Sequence, residues 1–148
     1  MSWRYKSQFV FLLACLYPAI LCCGGCSERA IDLRTPESTI RTYVNAYNSK
    51  NNETVRQCGV ATSLKGVFTR VDYDVNSKKI NVPVDGIEYE ILVSSPGKES
   101  VTRMFTTRDT SLNVRFTSKY DREFDKTVEV KLQSRRTVYD EEDTWQIL

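Results

Sequence analysis

Two acidic stretches are where metal chemistry would first be sought in this sequence. Residues 72–76 (DYDVN) begin like the D-x-D-x-N of a calcium-binding loop, in which carboxylate and amide oxygens converge on one cation. That loop also requires glycine at its sixth position and a bidentate glutamate at its twelfth, and these positions hold Ser77 and Pro83. The pattern therefore predicts a polar loop or strand end, not a calcium site.

The second acidic stretch, residues 140–143 (DEED), offers oxygen ligands that could hold a divalent cation. It lies between two segments with the alternation of β-strands, where a charged run is typical of a solvated turn. The turn is the favoured interpretation, and neither a metal nor an organic cofactor is predicted.

The absence of histidine restricts the chemistry further. Without it, Ser-His-Asp and Cys-His catalysis are excluded, together with most zinc sites. Three aromatic residues, Tyr43, Tyr47 and Trp145, are candidates for the lining of a small-molecule pocket, but each also lies at core spacing. The sequence therefore predicts no catalytic residue.

Four of the five cysteines lie within the first 26 residues. There, Arg4 and Lys6 precede an apolar run, residues 9–21 (FVFLLACLYPAIL), that ends at residues 22–26 (CCGGC). A spanning helix needs roughly 20 apolar residues, so this run is too short and is built like a signal peptide. An ordinary secreted protein with a cysteine-rich signal end is the alternative.

Gly24-Gly25-Cys26 resembles the bacterial lipobox, in which small residues precede an obligatory cysteine. Cys22 and Cys23 fit the motif less well. The resemblance implies that residues 1–25 are cleaved, that Cys26 is diacylated, and that the protein is held on a membrane of the cell envelope. Ser27 at the next position implies the outer membrane, if sorting follows the enterobacterial pattern.

The mature chain is expected to be one neutral domain. The full sequence has 21 Lys and Arg against 19 Asp and Glu, and Arg4 and Lys6 would leave with the signal. Nothing in this balance favours nucleic acid as a partner. Cys58 would then be the one unmodified cysteine, interpreted as a small buried hydrophobic residue, with a reactive or interchain thiol as the alternative.

Residues 26–34 are predicted to be a tether, and residues 35–148 the domain. Thr35 is a favourable N-cap and Pro36 suits a first helical position, so a helix is predicted to Asn48. A second helix is expected near Glu53, giving an antiparallel helix hairpin. The apolar face of the first helix follows the helical period: Ile40, Tyr43, Val44 and Tyr47.

The period changes to two after Gly86, which predicts antiparallel strands. Residues 63–84 before it fit a short helix or a strand equally well. A turn is predicted at residues 95–97 (SPG), a strand at residues 101–107, and a closing strand at residues 144–148. The positions predicted to face the core include Leu112, Val114, Phe116, Val130, Leu132, Trp145 and Ile147.

Helices followed by a strand meander predict an α+β fold, with the helix hairpin packed on a curved antiparallel sheet. The opening helix (TPESTIRTYVNAYNSKN) and the tryptophan-containing last strand (DTWQIL) are similar to the cystatin-like, or NTF2-like, fold. This resemblance implies a cone that sometimes holds a small molecule between helix and sheet, and it is what makes Tyr43, Tyr47 and Trp145 pocket candidates. No catalytic residue carries over.

Two functions are therefore weighed. The first is a lipid-anchored, non-enzymatic domain that binds an unknown protein or small molecule. The second is an NTF2-like envelope enzyme, an isomerase or hydrolase that acts in the cone cavity. The missing histidine and the lack of an inward-facing carboxylate on the first helix favour the first.

Overall fold

The computed structural model describes residues 31–59 and 62–148. The predicted signal peptide, Cys26 and the first part of the predicted tether lie outside these residues. Within them, three helices precede six strands, so the chain is α+β with antiparallel sheets, as predicted. None of the described helices is long and apolar enough to cross a membrane.

Helix α1, Pro36–Asn48, has the predicted bounds, and a capping box formed by Thr35 and Ser38 defines its N-terminus. The Thr35 hydroxyl accepts a hydrogen bond from the Ser38 N–H at 3.1 Å, and the Ser38 hydroxyl accepts one from the Thr35 N–H at 3.1 Å. This reciprocal arrangement satisfies backbone donors that a helix start leaves without partners.

Two short helices follow, α2 (Asn52–Gln57) and α3 (Thr62–Val67). Asn51 is the N-cap of α2, and its side-chain oxygen accepts from the Thr54 N–H at 3.1 Å. Cys58 is fully buried, which confirms its interpretation as a core residue. Burial raises the pKa of its thiol to about 11.

The strands form a small hairpin and a larger sheet. The hairpin pairs β1 with β2, and the four-stranded sheet has the order β3-β4-β5-β6 with every pairing antiparallel. The ambiguous region before Val84 contains both predicted structures in succession, since α3 ends at Val67 and β1 begins at Thr69. The strands are β1 (Thr69–Tyr73), β2 (Lys79–Pro83), β3 (Ile87–Val101), β4 (Phe105–Ser118), β5 (Asp125–Thr137) and β6 (Thr144–Ile147).

The turn predicted at residues 95–97 is wrong, because β3 continues through it to Val101. The register with β4 shifts between Pro96 and Glu99, so the Pro-Gly pair forms an irregularity inside the strand. Proline is tolerated there because β3 lies at the edge of the sheet and one side of it needs no backbone donor.

The actual reversal between β3 and β4 occurs just beyond, and it divides the strand that was predicted for residues 101–107. The Thr102 N–H donates to the Phe105 carbonyl at 2.9 Å, and the Thr102 hydroxyl accepts from the Phe105 N–H at 3.1 Å. Thr102, which carries no proline or glycine signal, therefore sets the turn.

The core lies between the helices and one face of the larger sheet. Phe68, just after α3, is fully buried and links the two layers, with ring centroids 4.8 Å from Tyr47 and 4.9 Å from Phe116. The predicted packing of Ile40 and Val44 in one buried cluster with the sheet is confirmed. Val128, which shares the predicted alternation of β5, is only partly buried. The other predicted inward positions are buried: Leu112, Val114, Phe116, Val130, Leu132, Trp145 and Ile147.

The first described residues are bound to the domain. The Trp145 N–H donates to the Leu33 carbonyl at 2.8 Å, and the Thr42 hydroxyl donates to the Asp32 carbonyl at 3.0 Å. Residues 31–34, the described part of the predicted tether, are therefore in one compact unit with the domain.

Candidate functional site

An open groove of about 530 Å³ lies where the small hairpin approaches the start of β5. One wall comes from β1, and the other comes from the loop before β5 and the first residues of that strand. We call it the hairpin groove. Its lining residues are Thr69, Arg70, Val71, Asp72, Asp121, Glu123, Phe124, Asp125 and Lys126.

Lys126 holds the two walls together. Its Nζ donates to the carbonyls of Val67 and Thr69 at 2.9 and 2.7 Å, across the junction between α3 and β1. The same Nζ lies 5.3 Å from the centroid of the buried Phe124 ring. Because backbone carbonyls satisfy this ammonium group, Lys126 acts as a support of the groove.

Arg70 and Asp121 form a bridge across the groove. Arg70 Nη1 donates to Asp121 Oδ2 at 3.0 Å, and Arg70 Nη2 lies 3.6 Å from Asp72 Oδ2. The other oxygen of Asp121 accepts from the Glu123 N–H at 3.1 Å. The Asp121 carboxylate is therefore fixed from both walls, and it is mostly buried.

Asp125, at the end of the groove, forms a two-pronged ion pair with Arg115 of β4. Arg115 Nε and Nη2 donate to the two carboxylate oxygens at 2.9 and 2.5 Å. These hydrogen bonds lower the pKa of Asp125, so its carboxylate stays ionised at neutral pH.

The groove has the charge pattern of a binding site. Its four carboxylates exceed by one the two basic groups of its lining and the adjacent Arg115 that pairs with Asp125, which favours a ligand with a cationic group. The lining contains neither a cysteine nor a hydroxyl paired with a general base. Within the described part of the chain, no group of three or more acidic or cysteine side chains is arranged to hold a metal ion.

A second polar cluster lies on the core-facing side of the larger sheet, towards the β3–β4 turn. We call it the inner-face cluster. Arg108 is its centre, with Nη1 3.0 Å from Asp143 Oδ2 and Nε 3.4 Å from Glu99 Oε2. Arg136 Nε lies 3.8 Å from the other oxygen of Asp143. Ser134 faces Arg108 across the β4–β5 ladder.

Two buried oxygen atoms of this cluster have no hydrogen-bond partner among the described residues. They are Ser134 Oγ, on a fully buried residue, and Asp143 Oδ1. Buried polar atoms in folded proteins are nearly always satisfied, if not by protein then by water or a ligand. A bound water or a donor group of a ligand would satisfy these two atoms.

None of the three aromatic pocket candidates lines the hairpin groove. Tyr43 is buried in the core, 6.1 Å from Phe68 between ring centroids, and Tyr47 packs edge-on against the same ring at 4.8 Å. Trp145 is buried on β6 and faces Ser134 across the β5–β6 ladder. The structure thus brings Tyr43 and Tyr47 together and places Trp145 beside the inner-face cluster.

The two acidic stretches form turns, and Asp143 at the end of the second one also makes ion pairs outside its turn. Asp74 Oδ1 accepts from the N–H groups of Asn76 and Lys78 at 2.8 Å each, which makes residues 72–76 the polar strand end that was predicted. Asp140 similarly accepts from the Thr137 N–H at 2.9 Å. The side chain of Asp143 belongs to the inner-face cluster through its ion pairs with Arg108 and Arg136.

No protein-family model, curated protein or solved structure matches this chain.

Proposed function

We propose that this protein is a lipoprotein of the bacterial cell envelope whose α+β domain binds a partner or a small ligand without catalysing a reaction. The observation that carries the anchor is Gly24-Gly25-Cys26 at the end of a short apolar run. Two acyl chains on Cys26 would hold the protein stably on a bilayer.

The hairpin groove supports the binding function. Its walls are tied by Lys126 and by the Arg70–Asp121 bridge, so the site exists before a ligand arrives. A site formed in advance lowers the ordering cost of binding. The α+β element order is compatible with a cystatin-like or NTF2-like domain, and in this proposal the domain is one of that kind that binds rather than reacts.

The anchor is tested with Cys26→Ser, using Cys23→Ser as the matched control. We expect Cys26→Ser to remain unprocessed or to leave the membrane fraction, and Cys23→Ser to mature and fractionate like the wild type. Mass spectrometry of the mature N-terminus would identify the acylated residue. A Cys26→Ser variant that matures normally would contradict the anchor.

The groove is tested with a panel of small cationic compounds, scored by the rise in melting temperature of the purified protein. A compound that binds there should stabilise the wild type and the Glu129→Lys control, whose side chain is exposed outside the groove. It should fail to stabilise Glu123→Lys, because that change places a positive charge on the lining. Equal stabilisation of both variants would show that the compound binds outside the hairpin groove.

The alternative function is an NTF2-like envelope enzyme, an isomerase or hydrolase that uses a carboxylate. The observation that favours it is Asp143, mostly buried beside Arg108 with the unpartnered hydroxyl of Ser134 on the same face. Asp143→Asn would separate the two functions. A ligand that the wild type converts, and that this variant binds without converting, supports the enzyme, whereas a ligand that binds to both proteins and is converted by neither supports the binding domain.

A further inference from the structure

Four large apolar side chains are exposed together at the end of the sheet where β3 turns into β4. Val101 and Met104 are each 70% exposed, Val138 is 63% exposed and Tyr139 is 90% exposed. We call these four residues the apolar tip. Isolated exposed apolar residues are ordinary, but a contiguous group of them marks an interaction surface.

The apolar tip is held in place by its backbone. The Val138 N–H donates to the Met104 carbonyl at 3.2 Å, which joins the end of β5 to the β3–β4 turn. The Asp140 carboxylate accepts from the Thr137 N–H and hydroxyl at 2.9 and 2.6 Å, which fixes the chain on the other side of Tyr139. The tip therefore keeps its side chains outward.

The chain enters the domain beside the connection that carries part of this tip. Leu33 is hydrogen-bonded to Trp145 of β6, and Arg34 Nε lies 3.8 Å from Glu142 Oε2, in the same connection as Val138 and Tyr139. The five steps from Cys26 to Ile31 can span at most about 18 Å. An acylated Cys26 would therefore keep the domain within reach of the bilayer. The tether alone does not select a side, because the chain before Arg34 lies along α1, where the Thr42 hydroxyl donates to the Asp32 carbonyl.

The charges around the tip indicate whether it would bind the charged headgroups of the bilayer or its apolar boundary region. The exposed basic residues near it are balanced by acidic residues of the β5–β6 connection, so attraction to anionic lipid is not the driving force. Apolar side chains with a tyrosine suit the boundary between headgroups and acyl chains. The opposing groups are Arg34, Arg103, Arg135 and Arg136 against Asp140, Glu141, Glu142 and Asp143.

We infer that the apolar tip rests in the headgroup region of the bilayer that carries the lipid anchor. This inference depends on the proposed acylation of Cys26, which brings the tip to the membrane. The tip then acts as a second, reversible contact, and it fixes the orientation of the domain relative to the bilayer.

The experiment uses the mature lipidated protein in vesicles of neutral phosphatidylcholine. Met104→Cys carries an environment-sensitive fluorophore, and Asn113→Cys, exposed elsewhere on β4, is the matched control. Labelling is selective because Cys58 is fully buried and Cys26 is acylated. We expect the Met104 label to show blue-shifted emission and loss of quenching by iodide, and the Asn113 label to show neither.

The possible results separate the two proposals. If the protein floats with the vesicles but the Met104 label reports water, the tip inference is overturned and the anchor stands. Failure to float overturns the anchor and, with it, this inference. A blue shift that appears only at high protein-to-lipid ratio, or only with anionic lipid, also overturns it, in favour of a second copy or of charge attraction. Loss of the blue shift in a Tyr139→Asp background supports it.

Discussion

The two tyrosines of α1 differ in one respect that decides their contribution to stability. Tyr47 Oη donates to the Val84 carbonyl at 3.1 Å, so its hydroxyl ties the helix to the chain after β2. Tyr43 Oη is buried and has no hydrogen-bond partner among the described residues. Both side chains contact the Phe68 ring, so they form a natural pair for comparison.

We predict opposite effects of removing the two hydroxyls. Tyr47→Phe should lower the free energy of unfolding by about 0.5–1.5 kcal/mol, the usual contribution of one hydrogen bond. Tyr43→Phe should leave it unchanged or raise it, since it removes a buried polar atom that has no partner. Urea denaturation of the two variants measures both values, and a larger loss for Tyr43→Phe would show that its hydroxyl is satisfied.

Stability should also fall at alkaline pH, for a reason that lies in two buried groups. Burial raises the pKa of Tyr43 from 10.0 to about 12 and that of Cys58 from 9.0 to about 11. Between the ordinary and the raised value, the unfolded chain has lost a proton that the folded chain retains, so rising pH favours unfolding. The stabilisation is complete below about pH 9 and is lost between pH 9 and 12.

Denaturation midpoints measured from pH 8 to 12 would check this. Tyr43→Phe should flatten the fall above pH 10 and leave the parts due to Cys58 and to Tyr47, whose pKa is also raised by burial. Tyr120→Phe, at a largely exposed position, should follow the wild-type profile. A profile that Tyr43→Phe does not change would place the alkaline transition in other groups.

Among the elements, β3 is an edge strand. At its first residue, a side chain binds the backbone groups that face away from the sheet. The Lys119 N–H donates to the Gly86 carbonyl at 2.8 Å, so the next residue, Ile87, points its backbone groups away from β4. Asn48 binds both of them, with its amide nitrogen 2.8 Å from the Ile87 carbonyl and its oxygen 2.8 Å from the Ile87 N–H. One side chain thus substitutes for a neighbouring strand.

Further irregularities limit the remaining edge. The register of β3 with β4 shifts between Ile91 and Val93, and Pro96 has no N–H to offer a further strand. Regular outward-facing groups are therefore confined to a short stretch around Tyr89. Interruptions of this kind keep exposed edges from pairing with other chains.

We predict that Asn48→Ala opens this edge. The loss of two hydrogen bonds should cost about 1–3 kcal/mol, and the longer free edge should make the protein associate as its concentration rises. Sedimentation velocity of the purified domain would detect the association. Asn45→Ala, on the exposed side of the same helix, is the control and should stay monomeric. A monomeric Asn48→Ala would show that the irregularities alone protect β3.

The sequence predicted those elements whose signals are local and failed where they are not. Helix α1 carries a cap, a first-turn proline and a clear period, so both of its ends were predicted correctly. The turn predicted at residues 95–97 was wrong because proline and glycine also occur in edge-strand irregularities, and at Gly97 a Cβ atom would lie 2.7 Å from the Asp109 carbonyl oxygen. The hairpin groove could not be predicted, because Arg70 and Asp121 meet only through the tertiary fold.

At the scale of the whole molecule, β6 closes the core. Trp145 and Ile147 are buried and Gln146 between them is exposed, as their alternation predicted. Trp3 would leave with the signal, so Trp145 would be the single tryptophan of the mature protein. Its emission should be blue-shifted and poorly quenched in the folded state and should follow unfolding directly.

Using that emission, we predict that Ile147→Ala costs about 2–5 kcal/mol, the range for truncating a large buried aliphatic side chain. Gln146→Ala, at the exposed position next to it, should change stability by less than about 0.5 kcal/mol. Denaturation midpoints of the two variants provide the comparison. Similar midpoints would mean that β6 contributes little to the core.

The backbone bonds of β6 have a consequence for the order in which the protein can form. Trp145 is bonded to Leu33 and Ile147 to Cys58, so the last strand in chain order completes contacts with segments that leave the ribosome long before it. Until that strand arrives, the early helices have no finished surface to pack on, and such non-local contacts form slowly. If the chain passes N-terminus first through a translocation channel, it would thus stay unfolded during transit and fold only after β6 has crossed the membrane.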